Sequence, residues 1–337
     1  MSQPNFALPA SLDDRFRRAE LAFWSLPLVA MWVFPEHLVL GAQVLIAGLF
    51  ALSLDLVLGY AGVVSLGHAA FFGAGAYAAG LLSVHGWGEP LSGLLVAAVV
   101  SAVLGFCSSF LIVRGHGLTR LMVTLGVGLS LHEAANQASS VTGGTDGLAG
   151  MATGSLFGSW SFDLMGRVAY GYCLVVCFAC FSIVRRLVHS PFGLSLRGLR
   201  ENERRMHALG VPVRWRLVQV YTLAAAIAGV AGALAAQTTE YVGLEVLSFE
   251  RSASALVMLV LGGAGRLYGA FVGSLIFMLL QSVFADLEPA YWQFWMGLTV
   301  VLVALSGRGG LLGQLSAVLA RPGRADTTAN AARGGTS

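Results

Sequence analysis

Lysine is missing altogether: all 20 basic residues are Arg. No GxxxxGK[ST] phosphate loop can therefore exist, because that motif needs its lysine on the phosphates. If ATP drives this chain, a partner must bind it. Charge of either sign is scarce. The 337 residues carry 20 basic and 17 acidic side chains, or 11%, where a soluble domain carries about 25%. A compact soluble protein of this size could not cover its surface with so few, which excludes an ordinary cytoplasmic enzyme and a secreted domain. Neither HExxH nor GxSxG occurs, and no catalytic constellation is visible, so no enzymatic activity, cofactor or metal is expected. Cysteine is sparse too. Cys107, Cys173, Cys177 and Cys180 all lie in apolar stretches, and the last three share one helix face with no His or carboxylate among them. They read as small packing residues inside a membrane helix, not as a metal site or a disulfide framework. The first twenty residues are polar, with Asp13, Asp14, Arg15, Arg17, Arg18 and Glu20, and no small-residue cleavage site follows the first apolar run. That run reads as an uncleaved first span and not as a secretory signal.

Apolar residues are plentiful, at 56% of the chain with a mean hydropathy of +0.76. This excludes a disordered chain and makes the protein an integral membrane protein. Glycine numbers 43, well above the average of about 7%, and without a Gly-X-Y repeat this fits close helix packing and broken helices in a bilayer. A β-barrel would show alternating segments of about 10 residues, whereas the apolar runs here are continuous.

A spanning helix needs ~20 mainly apolar residues. Spans are expected near 20–34, 38–58, 64–84, 92–113, 119–138, 167–184 and 217–237. Reading 253–279 as one helix would place the Arg-rich C-terminal end outside, against the positive-inside rule. Splitting it at Gly262, Gly263, Ala264, Gly265 and Arg266 gives segments near 253–261, 268–284 and 290–306. The expected fold is all-α: about ten transmembrane segments including broken or half helices, a two-fold internal repeat and both termini cytoplasmic. Eighteen of the twenty Arg then lie inside, and only Arg167 and Arg251 outside. Residues 1–19 form a cytoplasmic N-terminal segment, 20–306 the membrane domain, and 307–337 a cytoplasmic tail whose small, polar composition suggests disorder.

Two stretches break the helical pattern. Residues 59–80 hold six glycines, beginning Gly59, Tyr60, Ala61, Gly62 and continuing through Ser65, Gly67 and His68. Gly262, Gly263, Ala264 and Gly265 look like a counterpart later in the chain. Irregular backbone at membrane depth is tolerated only where it is buried in protein or lines a cavity. Paired glycine breaks in two halves therefore point to a translocation path at a repeat interface; the plainer alternative is close helix packing. Ser65 and His68, three apart, share one face and are candidates to line that path. Asp55 is the one acid well inside an early span, and so a functional candidate or a residue reaching water at a helix end.

Residues 185–216 form the longest polar stretch assigned to the inside, with eight Arg and two Glu. Between Pro191 and Gly210–Pro212 the spacing of Leu196, Leu199, Met206 and Leu209 predicts one amphipathic helix. It suits either anionic headgroups or a groove on a cytoplasmic partner.

Arg200, Glu201, Asn202 and Glu203, followed by Ala208, Leu209 and Gly210, resemble the coupling loop of ABC-importer permeases, the "EAA…G" loop that inserts into an ATPase subunit. The 59–62 glycine pair with Ser65, Leu66, Gly67, His68, Ala69, Ala70, Phe71 and Phe72, then Gly75, Ala76 and Tyr77, is similar to the signature of the branched-chain amino acid permease family, LivM-type subunit. Thr142, Gly143, Gly144, Thr145, Asp146, Gly147 and Leu148, together with 262–265, look like the same family, and the resemblance covers roughly residues 40–310. One departure is that Glu203 is followed by Arg204 and Arg205, not by two alanines.

The resemblance implies a permease subunit in a bacterial inner membrane. Its partners would be a homologous permease subunit, two cytoplasmic ATP-binding subunits and a periplasmic solute-binding protein. The path would carry branched-chain or similar small neutral amino acids; urea, short amides or other small acids are the alternative, since relatives carry those. A secondary transporter would place several carboxylates at mid-membrane, where only Asp55 is a candidate. A channel would need a filter ring, and the 142–147 stretch that superficially resembles one falls in an outside loop.

Overall fold

The computed structural model describes residues 18–151, 153–154, 166–289 and 291–305. The N-terminal segment before 18 and the tail beyond 305 lie outside the described residues. Thirteen helices are described: α1 (Arg18–Val33), α2 (Leu38–Asp55), α3 (Ala69–Val84), α4 (Pro90–Ile112), α5 (Leu118–Gln137), α6 (Ser139–Thr142), α7 (Arg167–His189), α8 (Pro191–Glu201), α9 (Glu203–Ala208), α10 (Val213–Thr239), α11 (Phe249–Gly262), α12 (Leu267–Leu287) and α13 (Trp292–Leu305). No strand occurs among the described residues; the one β contact is a bridge between Leu148 and Val242.

Five helical stretches are long and apolar enough to cross a membrane: Pro35–Tyr60, Pro90–Ile112, Arg167–His189, Val213–Thr239 and Leu267–Leu287. Three shorter apolar helices accompany them, over Phe23–Val33, Ala69–Val84 and Trp292–Val303. The chain is thus an all-helical, multi-pass membrane protein. Its outer faces carry large apolar side chains that water would not tolerate in such number, among them Trp32, Leu95, Val99, Leu111, Val175 and Ile183.

The centre of the bundle is α10, packed against α4 and α3. In lipid the hydrophobic effect does not drive helices together, so close backbone approach through small residues has to do so. The face of α10 that carries Ala224, Ala225, Ala228, Ala231 and Gly232 is fully buried. A Cβ added at Gly232 would stand 1.9 Å from the carbonyl oxygen of Phe72, so only glycine permits this crossing. On the other flank, Trp24 of α1 meets Phe178 and Phe181 of α7 and Phe271 of α12 edge-on, at ring separations of 5.0, 5.2 and 5.6 Å. Cys173 and Cys177 are buried on α7, and the Cys177 thiol lies 3.5 Å from the Leu45 carbonyl it donates to. Those cysteines therefore pack α7 onto α2.

Contacts between loops sort the molecule into two ends. At one, Leu148 bridges Val242, the Thr153 hydroxyl donates to the Gln237 carbonyl, and the Gln237 amide donates to the Pro90 carbonyl. At the other, the α4–α5 turn, the α8–α9 hairpin and the breaks after α2 and α11 converge. Apart from Arg167 and Arg251, every described Arg outside α1 belongs to the loops and helix ends of this second group.

Two expectations about local structure are corrected. The amphipathic stretch 191–209 is not one helix but two, broken at Asn202, whose side chain accepts from the Arg205 N–H at 3.0 Å and so starts α9 afresh. The Leu196 and Leu199 face is buried and Met206 is half-buried, but Leu209 is 68% exposed and lies off that face. Ser65 and His68 do not share a helix face either. Residues 61–68 run as irregular chain, and α3 begins only after His68.

Candidate coupling and gating site

Helix α2 ends in a wider π turn over Leu56–Tyr60, and the chain then turns through Gly62 at φ +74°. π turns are rare and concentrate at functional positions. The second break has the same character: α11 stops at Gly262, Gly263 and Gly265 take φ of +96° and +82°, and α12 starts at Leu267. The two breaks touch one another. Asp55, fully buried at the end of α2, accepts from the Gly265 backbone N–H at 2.7 Å. Its second oxygen, Oδ2, is also buried and makes no hydrogen bond.

Glycine is required for this contact. A Cβ at Gly59 would fall 2.0 Å from Asp55 Oδ1 and 2.5 Å from the Gly265 nitrogen. The same opening admits a side chain from the α8–α9 hairpin. Arg200, near the end of α8, donates from its guanidinium to the Gly59 carbonyl. A Cβ at Gly265 would meet Arg200 Nη1 at 2.8 Å, and one at Gly62 would meet Arg200 Cγ at 3.0 Å. Three glycines, at 59, 62 and 265, thus make the slot that Arg200 occupies. Arg197, one turn earlier on α8, lies over the Tyr60 ring at 5.6 Å. Helix α8 itself is held by buried Leu196 and Leu199.

Beyond Arg200 the hairpin projects outward. Glu201, Asn202, Arg204, Arg205, His207, Ala208, Leu209 and Gly210 are all exposed. Glu203 is tied back, with its carboxylate 3.6 Å from the guanidinium of Arg120 on the first turn of α5, while Arg120 Nε also donates to the Gly115 carbonyl at 3.1 Å. Gly210 closes α9 at φ +80°, with the Val211 N–H on the Met206 carbonyl at 3.1 Å and the Gly210 N–H on that of His207 at 3.0 Å. This is a Schellman ending, which favours glycine at this position because a Cβ is strained there. His116, Glu201, Asn202, Glu203, Arg204 and His207 line a cleft of about 430 Å³ between the hairpin and the α4–α5 turn.

The remaining candidates sit deeper. His68 is fully buried, stacked on Phe50 at 5.7 Å and edge-on to Phe71 at 5.5 Å. The Ser53 hydroxyl donates its single proton to the Phe50 carbonyl at 2.6 Å, so the 2.9 Å contact between His68 Nε2 and Ser53 Oγ assigns the proton to Nε2. Ser65 is 1% exposed, and a Cβ at Gly67 would strike the Thr124 carbonyl oxygen at 1.9 Å. In this conformation Ser65, Gly67 and His68 face neighbouring helices and not an open channel. The site therefore gathers Gly59, Gly62, Gly265 and the α8–α9 hairpin into one contact, while Ser65, Gly67 and His68 form a separate internal layer. Sequence reasoning singled out Asp55 and Arg200 apart, with no sign that both meet Gly59 and Gly265. Arg120 was passed over; the available signal was that its turn falls at the same end of the molecule as Glu201 and Glu203, the two acids of the Arg-rich 185–216 stretch.

A multi-pass helical bundle with two glycine breaks that meet beside an exposed polar hairpin is the frame of a membrane transport protein. The chain belongs to the family described as "Branched-chain amino acid transport system / permease component", whose sequence profile matches residues 39–304. As a permease it is a transport component and not an enzyme. It is similar to the high-affinity branched-chain amino acid transport system permease protein LivM of Salmonella typhimurium, at 29% identity over 93% of this chain and 79% of that protein. The LivM protein of Escherichia coli is 27% identical over the same shares of both chains. A probable LivM protein of Methanocaldococcus jannaschii is 24% identical over 76% of this chain and 83% of its own. No solved structure matches.

Proposed function

We propose that this chain is the permease subunit of an ATP-driven importer, forming with a homologous subunit the path for branched-chain or similar small neutral amino acids. A periplasmic binding protein would deliver the solute, and two cytoplasmic ATP-binding subunits would grip the α8–α9 hairpins. The membrane is the bacterial inner membrane, crossed by about ten segments that include half helices, with the Arg-rich end and both termini in the cytoplasm. The glycine breaks at 59–62 and 262–265 are counterparts in a two-fold repeat and act as the moving parts of the gate.

The observation that carries this reading is the seating of Arg200. The exposed tip of the hairpin and the two breaks form one mechanical unit, because a single guanidinium joins α8 to Gly59, and Gly59 sits on the Asp55–Gly265 contact. A displacement of α8 by an ATPase would pull on both breaks together. Rigid elements with two discrete arrangements, linked by packed side chains, are how such motion travels.

The test is ATP-dependent uptake in membranes carrying the double substitution Glu203→Gln, Gly210→Ala. Membrane insertion should be retained and uptake should fall at least ~10-fold, since the Glu203–Arg120 tie contributes up to about 1 kcal/mol to the hairpin's shape and a Cβ in the Schellman ending costs about 1–2 kcal/mol. Unchanged uptake would overturn the coupling assignment.

A further inference from the structure

A cavity of about 310 Å³ lies among α2, α3, α10, α11, α12 and α13, toward the end of the molecule opposite the hairpin. That volume is at the lower end of the range for small-molecule sites, about 300–1,000 Å³. Its apolar lining includes Ile46, Phe50, Phe72, Met258, Phe277 and Trp292. Its polar lining is uncharged apart from one residue: Gln43, Thr238, Thr239, Ser254 and Gln281, with Arg251. Among the described residues no carboxylate comes within salt-bridge distance of Arg251; Glu245, outside the cavity lining, is the acid that acts on it electrostatically, and its guanidinium lies 5.2 Å over the Phe72 ring. Every other described Arg outside α1 is at the opposite end of the molecule, apart from Arg167 at the start of α7. A single cation with no acid in the cavity lining, beside apolar and aromatic side chains, matches a small solute with a carboxylate at one end and a hydrocarbon group at the other.

We propose that this cavity is a transient solute site in which Arg251 takes the carboxylate of an α-amino acid and the apolar lining at Ile46, Phe50 and Met258 takes its side chain. The inference rests on the importer reading above and deepens it. A guanidinium fork pairs with carboxylate in bidentate fashion and offers nothing comparable to urea or a neutral amide, so the site selects acids over the uncharged solutes that the sequence left as the alternative. Gln43, Thr238 and Gln281 supply neutral acceptors for the ammonium group.

The experiment uses the complete importer, purified with its partner subunits into lipid nanodiscs. Wild-type membranes are first assayed for ATP-driven uptake of radiolabelled leucine. Photoactivatable leucine, carrying a diazirine in its side chain, and its carboxamide are then cross-linked to the complex and the adducts mapped by mass spectrometry. The acid should label the peptide containing Met258 at least ~10-fold more than the amide, because a site built on a charged hydrogen bond rejects the analogue that lacks it. Arg251→Gln should remove that preference, Arg251→Lys should keep part of it, and Met258→Trp should suppress labelling by filling the cavity. Equal labelling by acid and amide, adducts only elsewhere, or a phospholipid retained by Arg251 in native mass spectra would overturn the site. Any of these with leucine uptake intact would leave the importer reading standing, whereas absent uptake in wild-type membranes would remove that reading itself.

Discussion

Substituting Gly59 by Ala tests the junction at its tightest point. The new Cβ would lie 2.0 Å from Asp55 Oδ1 and 2.5 Å from the Gly265 nitrogen. Ordinary contacts need well over 3 Å, so the carboxylate must retreat by about 1 Å or more. It now sits 2.7 Å from the Gly265 N–H, and a retreat of about 1 Å takes it beyond hydrogen-bond range. A hydrogen bond to a charged group contributes about 1.5–3 kcal/mol, and overpacking a tight interior adds about 1–3 kcal/mol. The variant should therefore lose roughly 2.5–6 kcal/mol. The assay is thermal unfolding of the purified complex in detergent, beside Gly126→Ala on α5, where an added Cβ meets nothing within 4 Å. Gly126→Ala should be neutral or stabilising by up to about 1 kcal/mol, as for alanine in a helix interior. If the two variants unfold at the same temperature, the contact between the breaks does not hold the molecule together and the account of the junction fails.

Arg200→Ala should leave ATP hydrolysis by the assembled importer largely intact while uptake per ATP falls at least ~10-fold, a loss of about 1.4 kcal/mol in coupling; equal losses in both rates would mean that Arg200 is needed for assembly and not for transmission. Cysteine placed at Ser195 should react with an impermeant maleimide only from the cytoplasmic side, and at Ala149 only from the outside; the reverse pattern would invert the topology. Ser53→Ala removes the acceptor that His68 Nε2 uses and leaves a buried ring nitrogen without a partner, so stability should drop by about 1–3 kcal/mol; an unchanged melting temperature would show that His68 finds water or another partner.

The element plan was legible because its signals are local. The break between α11 and α12 could be placed at residues 262–266 from a glycine run and a charge-parity constraint, and the helices start and stop there. The α8–α9 break was not read, because the spacing of Leu196, Leu199 and Met206 carries the helical pattern straight across Asn202. The local signal was Asn202 itself, a favoured helix-starting residue, outweighed by periodicity. The placing of Ser65 and His68 on one face failed for a related reason. Three-residue spacing means a shared face only where the chain is helical, and four glycines within 59–73 had already made that doubtful. The Asp55–Gly265 contact joins residues 210 apart in the chain, and nothing local in either segment announces the other. Glycines at 59, 62 and 265 looked alike in the sequence; which of them a side chain would occupy became visible only once α8 was seen lying beneath the breaks.

The central claim is that the α8–α9 hairpin is where an ATPase takes hold. A photo-cross-linking amino acid at Leu209, which is 68% exposed at the tip, tests it in native membranes. Irradiation should join this chain to a cytoplasmic subunit bearing its own phosphate-binding loop, and the adduct should diminish when Gly210→Ala distorts the tip. An adduct formed only with lipid, or no adduct in membranes that still import the solute on ATP, would contradict the account.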